Sequence, residues 1–176
     1  MAVQEGLLIN YAGHNKYRNQ DAPEKVIRYI TRTNGSAKDD LVVWGGLGIM
    51  EHLEPGEIAR QFYLVQKMNT RGGKQGRLVD HEVYSLSEGE ERLVQEKNAD
   101  IDEIARNMAR DFYRKDHCQV VYGVHKPDQG NTHMHIHFAI NTVDFARGRK
   151  RRENWRQTKE REARFREILK EGCEKR

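Results

Sequence analysis

The chain has 176 residues, 36% of them hydrophobic and 33% charged, with a formal net charge of +4. That length fits one domain of ordinary size with a buried core, and the patterned apolar positions exclude a chain that is disordered throughout. No apolar stretch reaches membrane-spanning length, and the N-terminus lacks the basic and apolar runs of a signal peptide. Cys118 and Cys173 form neither a metal motif nor a disulfide framework, so a reducing cytoplasm is the expected location and membrane insertion is not expected.

Residues 4–11 predict a short first strand, and the polar run after them a loop. Pro23 opens a helix, where its missing N–H costs nothing. Val26, Ile27 and Ile30 form one face of that helix, with Tyr29 beside it. Residues 41–49 are strand-like but broken by Gly45 and Gly46. Ile58, Phe62, Val65 and Met68 have helical spacing, and a flexible basic loop carrying Arg71, Lys74 and Arg77 follows. Residues 78–87 alternate, placing Val79, His81, Val83 and Ser85 on one side of a strand, with residues 87–90 as its exit turn.

The clearest helix has Ile101, Ile104, Ala105, Met108, Ala109 and Phe112 on one face. Asp100 caps it, and Glu103 completes a capping box. A β-branched strand over 118–126, a turn over 127–131 and a second strand over 132–145 predict a hairpin. The basic run 146–152 leads into a charged helix anchored by Trp155, Phe165, Ile168 and Leu169. The expected fold class is α+β, a central antiparallel sheet with helices packed mainly on one face. Residues 1–150 form its main domain, and residues 151–176 a charged helical extension.

The charge is unevenly placed. Residues 146–176 carry 13 Lys or Arg against 6 Asp or Glu, a balance of +7, and the remainder balances at −3. Such asymmetry points to a polyanionic partner. The strongest patch is Arg147, Arg149, Lys150, Arg151 and Arg152, followed by Arg71, Lys74 and Arg77. Trp44 and Trp155 are expected as packing anchors rather than base-stacking platforms.

In "NTHMHIHFAIN", residues 131–141, His133, His135 and His137 alternate. In a strand they project from one face, with Asn141 further along it. His125, at the end of the preceding hairpin strand, reaches the same spot. Neutral imidazoles suit Zn, Mn, Ni and Fe, and three of them with open positions describe a catalytic rather than a closed structural site. Asp128 and Asn141 are expected to orient the imidazoles by hydrogen bonds.

These residues resemble the third motif of plasmid and conjugative-element mobilisation relaxases in the HUH endonuclease superfamily. There a His-hydrophobe-His pair leads into an apolar strand ending in Asn, with a third ligand upstream. His135 and His137 followed by "FAIN" match the pair, and His125 matches the third ligand. The interval after His125 is longer than the family pattern, and Asp128 falls one position late for the His-x-Asp stretch that usually carries the third ligand. An alternative register uses His133 and His135, leaving His137 as the neighbour; the "FAIN" continuation favours His125, His135 and His137, with His133 flanking. "KVIRYITR" resembles the first motif and maps its nucleophile onto Tyr29. "HEVYSLSEGE" resembles the second and maps His81 and Ser85 to DNA contact near the nick.

The resemblance implies nicking of one DNA strand at an origin of transfer by metal-assisted transesterification. A 5′-phosphotyrosine intermediate preserves the bond energy for later rejoining, in conjugative mobilisation. It also implies single-stranded DNA as substrate, an accessory DNA-binding protein and a coupling protein as partners, and a bacterial, mobile-element origin. Mn or Mg is the expected working metal, with Zn or Ni able to occupy the same imidazoles. Tyr11 and Tyr17 are rival nucleophiles. A free phenol has a pKa of about 10, and Asp21, Glu24 and Asp128 are the carboxylates open to assisting its deprotonation. A rolling-circle replication initiator is the nearest alternative, but those usually place the histidines before the tyrosine. A non-enzymatic nucleic-acid-binding module with a structural metal and a hydrolase using water as nucleophile are the others.

Overall fold

The computed structural model describes the backbone of residues 6–9 and, in full, residues 17–35, 39–69, 76–128 and 132–175. Five strands form one antiparallel sheet: β1 (Gly6–Ile9), β2 (Leu41–Leu47), β3 (Val79–Ser85), β4 (Val120–His125) and β5 (His135–Asn141), in the spatial order β1-β3-β5-β4-β2. Antiparallel α+β architecture is thus as expected from the alternating hairpin segments. β2 continues through Gly45 and Gly46, which pair with Tyr122 and Val121. A Cβ at Gly45 would stand 2.6 Å from the Tyr122 hydroxyl, so the glycines admit a close neighbour rather than ending the strand.

Helices cover both faces, not mainly one. The sheet face bearing Val79, Val121 and Ala139 packs under α1 (Ala22–Ile30) and α2 (Pro55–Asn69), through Ile27, Ile30, Ile58 and Phe62. The opposite face, with Tyr84, Tyr122, Ile136 and Phe138, packs against α4 (Ile101–Lys115) and α5 (Trp155–Glu174). The strands therefore carry apolar residues on both sides, which blurs the inward-outward alternation on which a one-face reading depends. Phe165, Leu169 and Cys173 of α5 join the same core as Phe112 and Phe138. A boundary at residue 150 consequently does not separate two cores. Trp155 is 74% exposed and lies near Lys159, so it is not one of the core anchors of α5.

The segment expected as an exit turn begins a helix instead, α3 (Glu88–Glu96). Ser87 accepts from the Glu90 backbone N–H, and the Glu90 carboxylate accepts from the Ser87 N–H, closing a capping box. At α4 the cap is one-sided: the Asp100 carboxylate accepts from the backbone N–H groups of Asp102 and Glu103. The basic run after β5 forms a two-stranded ribbon, β6 (Val143–Asp144) with β7 (Arg149–Lys150).

One glycine sets the relation of α1 to the sheet. Gly123 lies opposite His137 in the β4–β5 ladder, and a Cβ there would come within 2.6 Å of the Ile30 carbonyl oxygen. Its missing side chain lets the C-terminal turn of α1, with Tyr29, lie directly over the strands that carry the histidines.

Candidate active site

Cross-strand register brings the imidazoles together. His125 pairs with His135, and His137 is the next inward residue of β5. One ring nitrogen from each of the three lies within 4.8 Å of the others, and all three residues are buried. His133 precedes β5, and its Nδ1 is 3.3 Å from the Glu91 carboxylate, so it is not part of this cluster. The Tyr29 ring stands over the group edge-on, 5.4 Å from the His137 ring and 6.2 Å from that of His125, and is 38% exposed. Tyr11 lies outside the described residues. The Tyr17 hydroxyl is 3.5 Å from His81 Nδ1.

Hydrogen bonds define what each imidazole can offer. His135 Nδ1–H donates to the His133 carbonyl at 3.0 Å, leaving its Nε2 with a lone pair. His137 Nδ1 is bonded to His81 Nε2 at 2.9 Å. The Nε2 atoms of His135 and His137 are both buried without a hydrogen-bond partner among the described residues. Buried polar atoms of this kind are ordinarily satisfied, and two convergent orphaned imidazole nitrogens fit a divalent cation. His125 differs. Its Nδ1 accepts from Arg32 at 3.0 Å and its Nε2–H donates to the Ile30 carbonyl at 2.8 Å. A cation bound there would take the place of one of these bonds.

Arg32 belongs to the site although no local pattern marks it. It follows α1 in a left-handed conformation, φ +57°, and forms a buried two-pronged ion pair with Asp40 at 2.8 and 2.5 Å. Its guanidinium carbon is 4.7 Å from the centre of the Tyr29 ring. A fixed cation thus lies against both the phenol and His125. The signal available was only an Arg three residues beyond the tyrosine. Its partner Asp40 lies eight positions further on, and neither residue belongs to a helix or strand whose periodicity would link them.

Other expected site residues have different roles. His81 and Ser85 are buried in the sheet, Ser85 opposite His135, rather than displayed to a nucleic acid. The Asn141 amide donates to the Phe62 carbonyl and Gln119 and accepts from Gln66, so it ties α2 to β5 rather than orienting an imidazole. Asp128 lies three residues past His125 and is the last residue described before residue 132. Asp21 pairs with Lys25 and Glu24 with Arg28 along α1.

Of the two basic patches, Arg71 and Lys74 lie outside the described residues, and Arg77 pairs with Asp80 at 2.7 Å. Arg151 is buried among Asp80, Glu82, Asp116 and Glu153, so its charge is already paired within the fold. Lys150 donates to the Arg77 carbonyl and the Thr142 hydroxyl, and burial pulls its ammonium down to about 8. Arg147 pairs with Asp144, while Arg149 and Arg152 are exposed. With Lys115 they line a basic cleft at the Asn141 end of β5, about 20 Å along the strand from His135.

Residues 29–173 match the MobA/VirD2-like relaxase nuclease domain. The chain belongs to this family. No curated protein matches it. The match begins at the tyrosine over the histidine cluster and runs through α5, so the relaxase fold includes the charged helix. The protein is accordingly a DNA endonuclease domain of the relaxase type, and its three-histidine cluster has the donor set such a domain needs for a metal. Among the described residues, no helix is long and apolar enough to cross a membrane.

Burial also makes this relaxase site acid-sensitive. Desolvation pulls the imidazoles of His125 and His81 down to about 4 each and holds His137 well below its ordinary value. In the unfolded chain they titrate near 6.5. The unfolded chain therefore binds more protons between these values. The stabilising contribution is full above about pH 6.5 and is lost as the pH falls towards about 4. With a chelator present, the thermal midpoint of the metal-free protein is expected to fall steadily across that window. A flat profile would mean that these imidazoles are not held neutral in the fold.

Proposed function

We propose that this relaxase nicks one strand of DNA at an origin of transfer by attack of the Tyr29 hydroxyl on the scissile phosphate, in mobilisation of a plasmid or integrative element within the bacterial cytoplasm. The position of the Tyr29 ring over the His125, His135 and His137 cluster carries this reading. The phenolic oxygen forms a bond to phosphorus as the 3′ oxygen leaves, giving a 5′-phosphotyrosine. Because one phosphoester replaces another, a returning 3′ hydroxyl reverses the step and rejoins strands.

His125, His135 and His137 would hold a divalent cation, Mn or Mg in function, with Zn or Ni able to bind as well. Such a cation supplies Lewis-acid polarisation of the non-bridging phosphate oxygens. Arg32 is fixed by Asp40 and adds positive charge beside the phenol, where negative charge develops as its proton departs. Exposure of the Tyr29 ring leaves it open to a single strand. Arg149 and Arg152 in the distant basic cleft are suited to flanking phosphates, and Arg71 and Lys74 are assigned the same task. An accessory DNA-binding protein and a coupling protein would complete the transfer machinery.

The test uses labelled single-stranded origin DNA with Mn(II) and asks for a protein–DNA adduct that survives denaturation. The adduct is expected with metal and should vanish with EDTA, while binding measured by fluorescence anisotropy persists because Lys and Arg supply it. Cleavage without an adduct would favour water as nucleophile. Binding with neither cleavage nor adduct would favour a non-enzymatic module.

A further inference from the structure

We infer that His81 is a positioning residue for the metal centre, fixing the tautomer in which His137 presents its Nε2 lone pair to a cation. The inference rests on the metal-dependent relaxase reading above. His81 lies on β3 two positions from Val83, the cross-strand partner of His137. Its ring is stacked on that of His137, with centroids 5.1 Å apart and planes 30° apart. His81 Nε2 and His137 Nδ1 are 2.9 Å apart and buried.

The proton positions follow from the network. If His137 Nε2 is to bind a cation, it must lack a proton, so the proton of neutral His137 sits on Nδ1. That N–H donates to His81 Nε2, which must then carry a lone pair. The His81 proton consequently sits on Nδ1, facing the Tyr17 hydroxyl at 3.5 Å. A ligand imidazole commonly donates its second N–H to a carboxylate or carbonyl, which sets its orientation and raises its basicity. Here another imidazole is the acceptor. His135 shows the more usual arrangement, with Nδ1–H on the His133 carbonyl. His81 also lies 6.1 Å from the Tyr29 ring, so its loss would disturb the ligand nearest the nucleophile.

The experiment is isothermal titration of the metal-stripped 176-residue protein with Mn(II), comparing wild type with His81→Leu, His81→Gln and His81→Asn. Leucine removes the acceptor. The glutamine oxygen can replace Nε2, whereas the asparagine oxygen falls short of His137. Mn(II) affinity is expected to fall about 10–100-fold in His81→Leu and His81→Asn and to be largely kept in His81→Gln. Single-strand DNA affinity in EDTA should be equal in all four proteins. ¹⁵N NMR of the metal-free wild type should show the Nδ1–H tautomer of His137, with a shift toward Nε2–H in His81→Asn. Should His81→Leu fail to fold, the glutamine and asparagine pair decides the matter. Wild-type protein that takes up no Mn(II) overturns the metal reading and this assignment with it. Wild-type uptake with equal affinity in His81→Asn and His81→Gln overturns this assignment alone. So does a loss of DNA affinity in EDTA with Mn(II) affinity intact.

Discussion

Tyr29→Phe is expected to lower covalent adduct formation by at least about 1,000-fold, the scale seen when a covalent nucleophile is removed. Fold and DNA affinity should stay unchanged. The ring is retained, including its edge-on approach to His137 and its contact with the Arg32 guanidinium. What the substitution removes is the hydroxyl and its hydrogen bond with the Arg32 guanidinium. Tyr17→Phe is the control. Its hydroxyl lies beside His81 Nδ1, at 3.5 Å, and the adduct should persist. Denaturing gels with end-labelled DNA measure both variants, and an adduct that survives in Tyr29→Phe would place the nucleophile elsewhere.

The largest effect on stability is expected from Glu82→Ala, on the face of the sheet away from the histidines. Glu82 is 1% exposed and accepts from the guanidiniums of Arg151 and Arg161, at distances between 2.9 and 3.2 Å. Burial pushes its carboxyl up, and the two guanidiniums oppose that shift. Both arginines lie against the Phe112 ring and also pair with Glu153. Removing Glu82 leaves two buried cations sharing the remaining acids, at a cost of about 3–5 kcal/mol. For a chain of this length that corresponds to roughly 6–20 °C in thermal midpoint. Glu82→Gln, which keeps acceptor geometry but not charge, should fall between Ala and wild type. Calorimetry measures the series, and a midpoint within 2 °C of wild type in Glu82→Ala, a shift of roughly that size or less, would show that Glu153, Asp80 and Asp116 suffice without it.

These two predictions lie on opposite sides of what the sequence could disclose. The alternation of His135 and His137, the β-branched strand ending in His125 and the tyrosine beside the α1 apolar face are local patterns. Side-chain direction in a strand or helix follows from spacing alone, so the cluster could be anticipated. His81 could be placed on its strand, but not against His137, because the pairing of β3 with β5 joins residues 50 or more positions apart. Arg151 read as one of a run of basic surface residues. Nothing local distinguishes it from Arg152, although one is buried among four carboxylates and the other exposed.

By itself the sequence determined the elements that carry chemistry, the antiparallel hairpin that joins His125 to the later histidines, and the order of tyrosine before histidines. Those depend on period, on turn residues and on short-range steric preference. Tertiary structure decided that helices cover both faces of the sheet, that α5 belongs to the core, and which basic residues are internal. It also placed Arg32 with Asp40 beside the phenol and Asn141 on Gln66 and Gln119. Apart from the Arg32–Asp40 pair, eight residues apart, these are partnerships between groups distant in the chain. A charged side chain is compatible with water or with a buried counter-charge, and only the packed fold supplies the second.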